Sequence, residues 1–96
     1  MSDARSEWTA RVTVRLADPA LCVWLHSALG PEASREVPRT RATVSSPDTA
    51  TVEVAITARD VGAMRAALNT YLGWVDLALR TGRAAARPAG ASASSP

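Results

Sequence analysis

Lysine is absent from this sequence, and cysteine and histidine each occur only once. The single Cys22 excludes an internal disulfide framework, and any catalysis that needs histidine would depend on His26 alone. No stretch approaches the roughly 20 apolar residues that a membrane-spanning helix needs, and the first residues lack the apolar run of a secretory signal. We therefore expect a soluble protein without membrane contact in the cytoplasm, and also in the nucleus if the source is eukaryotic.

The residue types that enzymes and metal sites use do not form a recognisable pattern in this chain. No phosphate-binding glycine loop or nucleophile motif is present, and the carboxylates fall at predicted helix caps, loops and exposed strand positions. Cys22 and His26 are four residues apart on a predicted helix, a spacing that two metal ligands can share, but the chain has no second cysteine or histidine. The sequence therefore predicts a protein without catalytic residues, cofactor or metal.

Composition divides the chain into one small domain and a tail. Residues 83–96 consist of arginine, alanine, glycine, proline and serine without a periodic apolar pattern, which predicts a disordered tail. The folding unit then spans residues 7–82. Because a domain of this size buries only about 60% of the surface of its unfolded chain, we expect it to gain stability by forming an oligomer.

The first half of the domain is predicted to be a strand followed by a helix. Residues 8–16 alternate between apolar and polar side chains, as a half-buried strand does. Asp18 and Pro19 are typical of a helix start, and Gly30-Pro31 should end that helix.

The second half is predicted to contain a hairpin and a long helix. After a polar loop at residues 32–38, residues 39–45 and 50–58 are predicted strands joined by a turn, and a helix should run from about residue 60 to residue 80 with Gly82 as its stop. The order β-α-β-β-α predicts an α+β, two-layer fold. We expect a three-stranded antiparallel sheet of order 1-3-2 with two helices on one face.

The long helix carries apolar residues around most of its circumference. At about 100° per residue, one stripe should face the core; it contains Val61, Met64, Leu68, Tyr71, Leu72, Val75 and Leu79. A second arc, taken together with Thr70, is the predicted partner-binding surface; it contains Ala63, Ala66, Ala67, Thr70, Trp74, Leu77 and Ala78. Close packing against the first helix explains Ala67 and Ala78, but it does not explain Trp74 together with Leu77, so an external partner is favoured.

Arginines are concentrated on the sheet face that is predicted to point away from the helices. Four arginines of this face are candidate phosphate contacts for RNA: Arg11, Arg15, Arg39 and Arg41. Arg65, on the long helix, is a fifth candidate. Ordinary solvation of strand edges is the alternative. The net charge of +2 is small, and no base-stacking aromatic pattern is present. The sequence therefore predicts RNA binding that is weak and without sequence preference.

A family resemblance lies in residues 66–74, which read Ala-Ala-Leu-Asn-Thr-Tyr-Leu-Gly-Trp. Met64-Arg65 and an acidic helix start precede this segment. Together these residues resemble the C-terminal helix of the Pcc family, which are small dimerising subunits of the KEOPS complex related to the CTAG antigens; the likeness extends more loosely over residues 8–80. The matching positions are Met64, Ala67, Leu68, Tyr71, Leu72, Trp74 and Val75 for the apolar residues, and Arg65 and Asn69 for the polar ones. Gly73 departs from the family, where a larger and often basic residue is expected.

The resemblance implies a non-catalytic scaffold. KEOPS makes threonylcarbamoyladenosine on tRNA, and the chemistry belongs to a catalytic subunit with an ATPase fold. A Pcc-like subunit dimerises, with itself or with a paralogue, packs its helices against the catalytic subunit, bridges two such subunits and assists tRNA binding. A free-standing homodimeric RNA-binding module that uses the same sheet is the alternative, and co-purification with a catalytic subunit distinguishes the two.

Overall fold

The computed structural model describes residues 7–33 and 39–86 of the chain, and these contain three strands and two helices. The elements in chain order are β1 (Trp8–Arg15), α1 (Pro19–Ala33), β2 (Thr40–Asp48), β3 (Thr51–Ala58) and α2 (Val61–Ala86). The predicted order β-α-β-β-α and the α+β class are therefore confirmed. Most of the predicted loop, at residues 34–38, and most of the predicted tail, at residues 87–96, lie outside the described residues.

The strand β3 lies in the centre of the sheet and is antiparallel to both β1 and β2, which confirms the predicted order 1-3-2. The register places Val12, Val54 and Val44 in one row across the three strands. Because side chains alternate between the two faces of a strand, this register directs the apolar residues of all three strands toward the helices. The arginines and threonines of β1 lie on the opposite, exposed face.

The helix α1 begins where the sequence predicts but continues past its predicted end. The carboxylate of Asp18 accepts a hydrogen bond from the Ala20 amide at 2.9 Å, which caps the first turn. The helix continues through Gly30-Pro31 to Ala33. Gly30 does not form a left-handed cap, because no described glycine has a positive φ. Leu29 is buried and Ala33 packs against the core. This burial offsets the backbone hydrogen bond that Pro31 cannot donate.

The helix α2 also continues past its predicted end, because Gly82 has a different role from the one expected. Asp60 caps the helix by accepting a hydrogen bond from the Ala63 amide at 2.7 Å. The helix then runs through Gly82 to Ala86, into the stretch whose composition suggested a tail. A Cβ atom at Gly82 would lie 2.6 Å from Cδ1 of Trp24. Gly82 therefore permits the close approach of α1 and α2 rather than ending the helix.

The buried stripe of α2 is rotated relative to its prediction. Met64, Tyr71 and Val75 are buried as predicted, but Leu72 is 50% exposed and Ala78, predicted for the opposite arc, is buried. The reason is the position of α1, which packs on the side of α2 that carries Ala78 and Gly82. That contact draws the stripe toward α1 and leaves Leu72 at the solvent boundary.

Candidate functional site

An apolar cleft opens between the C-terminal end of α1, the strand β2 and the N-terminal half of α2. We call it the helix cleft; its volume is about 260 Å³. Apolar side chains form most of its wall: Ala33, Ala42, Ile56, Ala63, Ala66, Ala67, Tyr71 and Trp74. Glu32, Thr40 and Thr70 supply its polar groups. The cleft exists because α1 and α2 touch near Gly82 and diverge toward the start of α2, where alanines leave the space between them open.

The helix cleft brings together most of the residues predicted to bind a partner. Five of the seven line it: Ala63, Ala66, Ala67, Thr70 and Trp74. Leu77 is 62% exposed and continues the same side of α2 beyond the cleft. Ala78 is buried in the core, and its carbonyl oxygen accepts a hydrogen bond from the Trp24 indole at 2.8 Å. Close packing against α1 therefore explains Ala78, while the other six residues predicted to bind a partner remain on accessible surface.

Tyr71 and Trp74 form the aromatic part of the cleft wall. Their ring centroids are 5.1 Å apart with an interplanar angle of 81°, an edge-to-face contact. Burial of the phenol, and secondarily the negative charge of Glu32, raise the pKa of Tyr71 above 10.0. The phenol is therefore uncharged at neutral pH, which keeps this wall suited to apolar contacts.

Several large apolar side chains outside the cleft are also exposed on the helices. They are Val23 and Trp24 on α1, and Val61, Leu72 and Leu77 on α2. Scattered apolar residues are common on protein surfaces and need no special explanation. Leu77 differs from the others, because it lies on the same side of α2 as the helix cleft and can extend an interaction surface there.

The five arginines predicted to contact RNA occupy three separate places. Arg11 and Arg15 lie on the exposed face of β1, and Arg65 is exposed on α2. Arg39 precedes β2 instead of lying on it as predicted: it has a left-handed backbone, with φ of 71°, and its Nε is 3.6 Å from Oδ2 of Asp60. Arg41 is exposed near the same end of the sheet.

Arg15 lies at the other end of the sheet, where Asp48 closes the β2–β3 turn. Hydrogen bonds from the Ala50 amide and the Thr51 side chain, and the charge of Arg15, lower the pKa of Asp48 below 3.8. The register pairs both Arg15 and Asp48 with Thr51. The charge of Arg15 therefore acts on Asp48 across the sheet, although no ion pair joins the two side chains within the described residues.

A second cleft, of about 170 Å³, is lined by arginines at the end of the sheet where β2 begins and β3 ends. Arg39, Arg41 and Arg59 line it together with Glu7. Arg59, which lies between β3 and α2, was not among the predicted RNA contacts. The hairpin register was the available signal, since pairing the start of β2 with the end of β3 brings the three arginines together. We call this site the arginine cleft.

Cys22 on α1 lies against the turn between β2 and β3. The Cys22 thiol is buried and lies 3.4 Å from the carbonyl oxygen of Thr51 and 3.5 Å from Oγ of Ser46, so it holds α1 against the β2–β3 turn. In residues 7–33 and 39–86, no three or more histidine, cysteine or carboxylate side chains come together as metal ligands would. Neither described helix has the length and apolar character to span a membrane.

Comparison with known proteins places these features in a family. The family model described as Transcription factor Pcc1 matches residues 9–83, which cover nearly all of the sheet and both helices up to the last turn of α2. No curated protein matches the chain. The match confirms the resemblance seen in residues 66–74. The chain belongs to the Pcc1 family, a family of KEOPS-complex subunits.

Proposed function

We propose that the chain is a non-catalytic, dimerising scaffold subunit of a KEOPS-like complex that makes threonylcarbamoyladenosine on tRNA. In this role it acts in the cytoplasm, binds the catalytic ATPase-fold subunit through its helices, bridges two catalytic subunits in the dimer and assists tRNA binding. Family membership supports the assignment to KEOPS. The observation that carries the scaffold role is the helix cleft, because it is apolar and accessible and the exposed Leu77 continues it along α2.

The shape of the helix cleft suits an apolar helix of the catalytic subunit. An amphipathic helix that binds in a groove inserts large side chains at intervals of three and four residues. Ala63, Ala66 and Thr70 are spaced in this way along α2, and their short side chains leave room for such insertions. Each Å² of apolar surface that the partner buries contributes about 25 cal/mol. Leu77 lies next along the same side of α2 and extends the contact.

Open sheet edges support the proposed dimer. Within the described residues, β1 and β2 each pair only with β3, so the outer backbone groups of both strands are available. Open edges of this kind favour pairing with another strand. The β1 edge is regular along its whole length, whereas the β2 register shifts between Ser45 and Asp48. A second copy of the chain can cover one edge and add the core that a domain of this size lacks.

Association with the catalytic subunit tests the scaffold role. The full chain is mixed with a candidate catalytic subunit and analysed by size-exclusion chromatography with light scattering. We expect a complex with the wild type and none with Ala66→Asp, because an unpaired charge buried in an apolar interface costs several kcal/mol. Ala66 is exposed, so this variant should fold. Asn69→Asp is the matched control, since it adds the same charge at an exposed position of α2 outside the cleft.

Two results would contradict this proposal. A wild-type chain that binds tRNA as a dimer but never the catalytic subunit would favour the free-standing RNA-binding module. Equal loss of association in Ala66→Asp and Asn69→Asp would place the interface elsewhere. Trp74 is less suitable for this test, because its ring makes an edge-to-face contact with the buried Tyr71 and its replacement would also disturb the fold.

A further inference from the structure

The arginine cleft is built by strand pairing and by one backbone hydrogen bond. The register places Arg41 opposite Thr57 and Thr40 opposite Ala58, so Arg59 follows directly at the end of the sheet. The Arg59 amide then donates a hydrogen bond to the carbonyl oxygen of Arg39 at 2.9 Å. The three arginines therefore have connected backbones, and their relative positions are set by the sheet.

The left-handed conformation of Arg39 is part of this construction. A φ of 71° lies in the left-handed region, which residues other than glycine rarely adopt. Two contacts hold the residue in place: its carbonyl oxygen accepts from Arg59, and its guanidinium pairs with Asp60 at 3.6 Å. Asp60 in turn caps α2. The cleft is therefore anchored to the start of α2 as well as to the sheet.

The charges of the cleft are not balanced by its own carboxylates. Asp60 contacts Arg39 and the Ala63 amide, and Glu7 is the acidic residue of the cleft wall. Within residues 7–33 and 39–86, neither Arg41 nor Arg59 has an ion pair or a side-chain hydrogen bond. Two guanidinium groups thus line one small cleft with their donors available. Like charges that line one cleft repel each other, and an anion bound between them would offset that repulsion.

We propose that the arginine cleft binds a phosphate group of the tRNA backbone, with Arg41 and Arg59 as its donors and Arg39 as the residue that positions Arg59. This site rests on the proposed function, because it gives a location to the tRNA contact. A guanidinium group matches phosphate with two parallel N–H donors, which a lysine cannot do. Backbone contacts of this type set the position of the RNA and carry no sequence information. The cleft adds Arg59 to the predicted RNA contacts and leaves Arg15 outside them.

The salt dependence of tRNA binding tests this site. Binding of unmodified tRNA to the full chain is measured by fluorescence anisotropy across a salt series. Each phosphate contact contributes roughly 0.7–0.9 to the slope of log affinity against log salt, so Arg41→Ala with Arg59→Ala should lower the slope by roughly 1.4–1.8. Arg15→Ala is the matched control, an exposed strand arginine at the other end of the sheet, and should leave the slope unchanged. Circular dichroism melts confirm that all variants remain folded.

The outcomes separate this site from the scaffold role. An unchanged slope in the double variant, or an equal decrease in Arg15→Ala, would overturn the arginine cleft while tRNA binding itself stands. A wild-type chain that binds inorganic phosphate but no tRNA would overturn both the site and the tRNA part of the proposed function. Light scattering with the catalytic subunit reads the scaffold role independently, and the double variant should bind that subunit as the wild type does.

Discussion

The pair of helices is closed at one end and open at the other. At the closed end, Trp24 of α1 lies against Gly82, and its indole N–H donates to the carbonyl oxygen of Ala78 at 2.8 Å. At the open end, Ala63 and Ala66 of α2 face the helix cleft. The two ends are made from the same kind of residue on the same helix, yet one is core and the other is accessible surface.

The difference between the ends is supplied by α1. Where α1 presents an aromatic side chain, a missing side chain on α2 allows direct contact, and the space at Gly82 is filled by Trp24 and Leu21. Where α1 presents Glu32 and Ala33 instead of an aromatic side chain, short side chains on α2 leave a gap of about 260 Å³. Small residues on a helix therefore indicate close approach only when a large residue lies opposite. Without one, they indicate room for a second chain.

The largest loss of stability should come from a leucine introduced at the closed end, compared with a leucine introduced at the open end in a separate variant. Ala78→Leu should lower the free energy of unfolding by about 1–3 kcal/mol, because Ala78 is buried where α1 crosses α2 and added methylenes overpack that site. Ala66→Leu should change it by less than about 0.5 kcal/mol, because Ala66 is exposed. Urea unfolding at one fixed protein concentration measures both, since dimerisation makes stability concentration-dependent. Equal destabilisation by the two variants would remove the distinction between a closed and an open end.

A glycine pair on α2 should give effects of opposite sign. Gly82→Ala should destabilise the protein, because its Cβ would meet Trp24 at 2.6 Å and displace the indole from Ala78. The cost of overpacking, about 1–3 kcal/mol, is reduced by about 1 kcal/mol of helix propensity. Gly73→Ala should stabilise by about 1 kcal/mol, because nothing lies within 4 Å of its Cβ position.

Thermal unfolding resolves this pair. A difference of 1 kcal/mol shifts the midpoint of a domain of this size by roughly 4–8 °C. If Gly82→Ala raises the midpoint as Gly73→Ala does, the indole is free to move and the closed end is less tightly packed than the geometry indicates.

The smallest effect concerns the titration of Tyr71 at the open end. Its pKa is raised in the folded state by burial and by Glu32, so the stability that the neutral phenol contributes is present below pH 10.0 and lost as the pH rises beyond it. Tyr71→Phe should therefore lose less stability at alkaline pH than the wild type. The chain has one tyrosine and no lysine, which isolates the signal. Ultraviolet titration of the phenol measures its pKa, and urea unfolding at several pH values measures the stability. An ordinary pKa for Tyr71 would show that the phenol is solvated and would contradict this prediction.

The sheet could be predicted from the sequence because its signals are local and agree with one another. Alternation in residues 8–16 and 50–58 gives both faces of two strands, and it excludes any pairing shifted by one residue, because that shift would turn the apolar side chains away from the helices. The cap of α1 could be predicted for the same reason, since Asp18 accepts from an amide only two residues further along the chain.

The ends of the helices and the buried stripe of α2 depend on contacts between distant residues. Gly82 has the sequence context of a helix stop, and only the position of Trp24 shows that it is a contact. Leu72 and Ala78 exchanged environments relative to their predictions, because α1 decides which side of α2 is covered. Arg59 was missed because only the pairing of β2 with β3 places it beside Arg39 and Arg41. The division of α2 into a core face and a binding face is therefore not a property of α2 alone.

The central position of β3 has a consequence for how the chain reaches its fold. During synthesis β1 leaves the ribosome first, but its partner is β3, and the pairing of Trp8 with Ala58 closes a long loop. The β2–β3 hairpin needs only a short turn, so its loop-closure entropy is smaller and it can form earlier. Loop closure therefore favours an order in which the hairpin forms first and β1 then adds to its free β3 edge. On this expectation, the strand that is synthesised first completes the sheet.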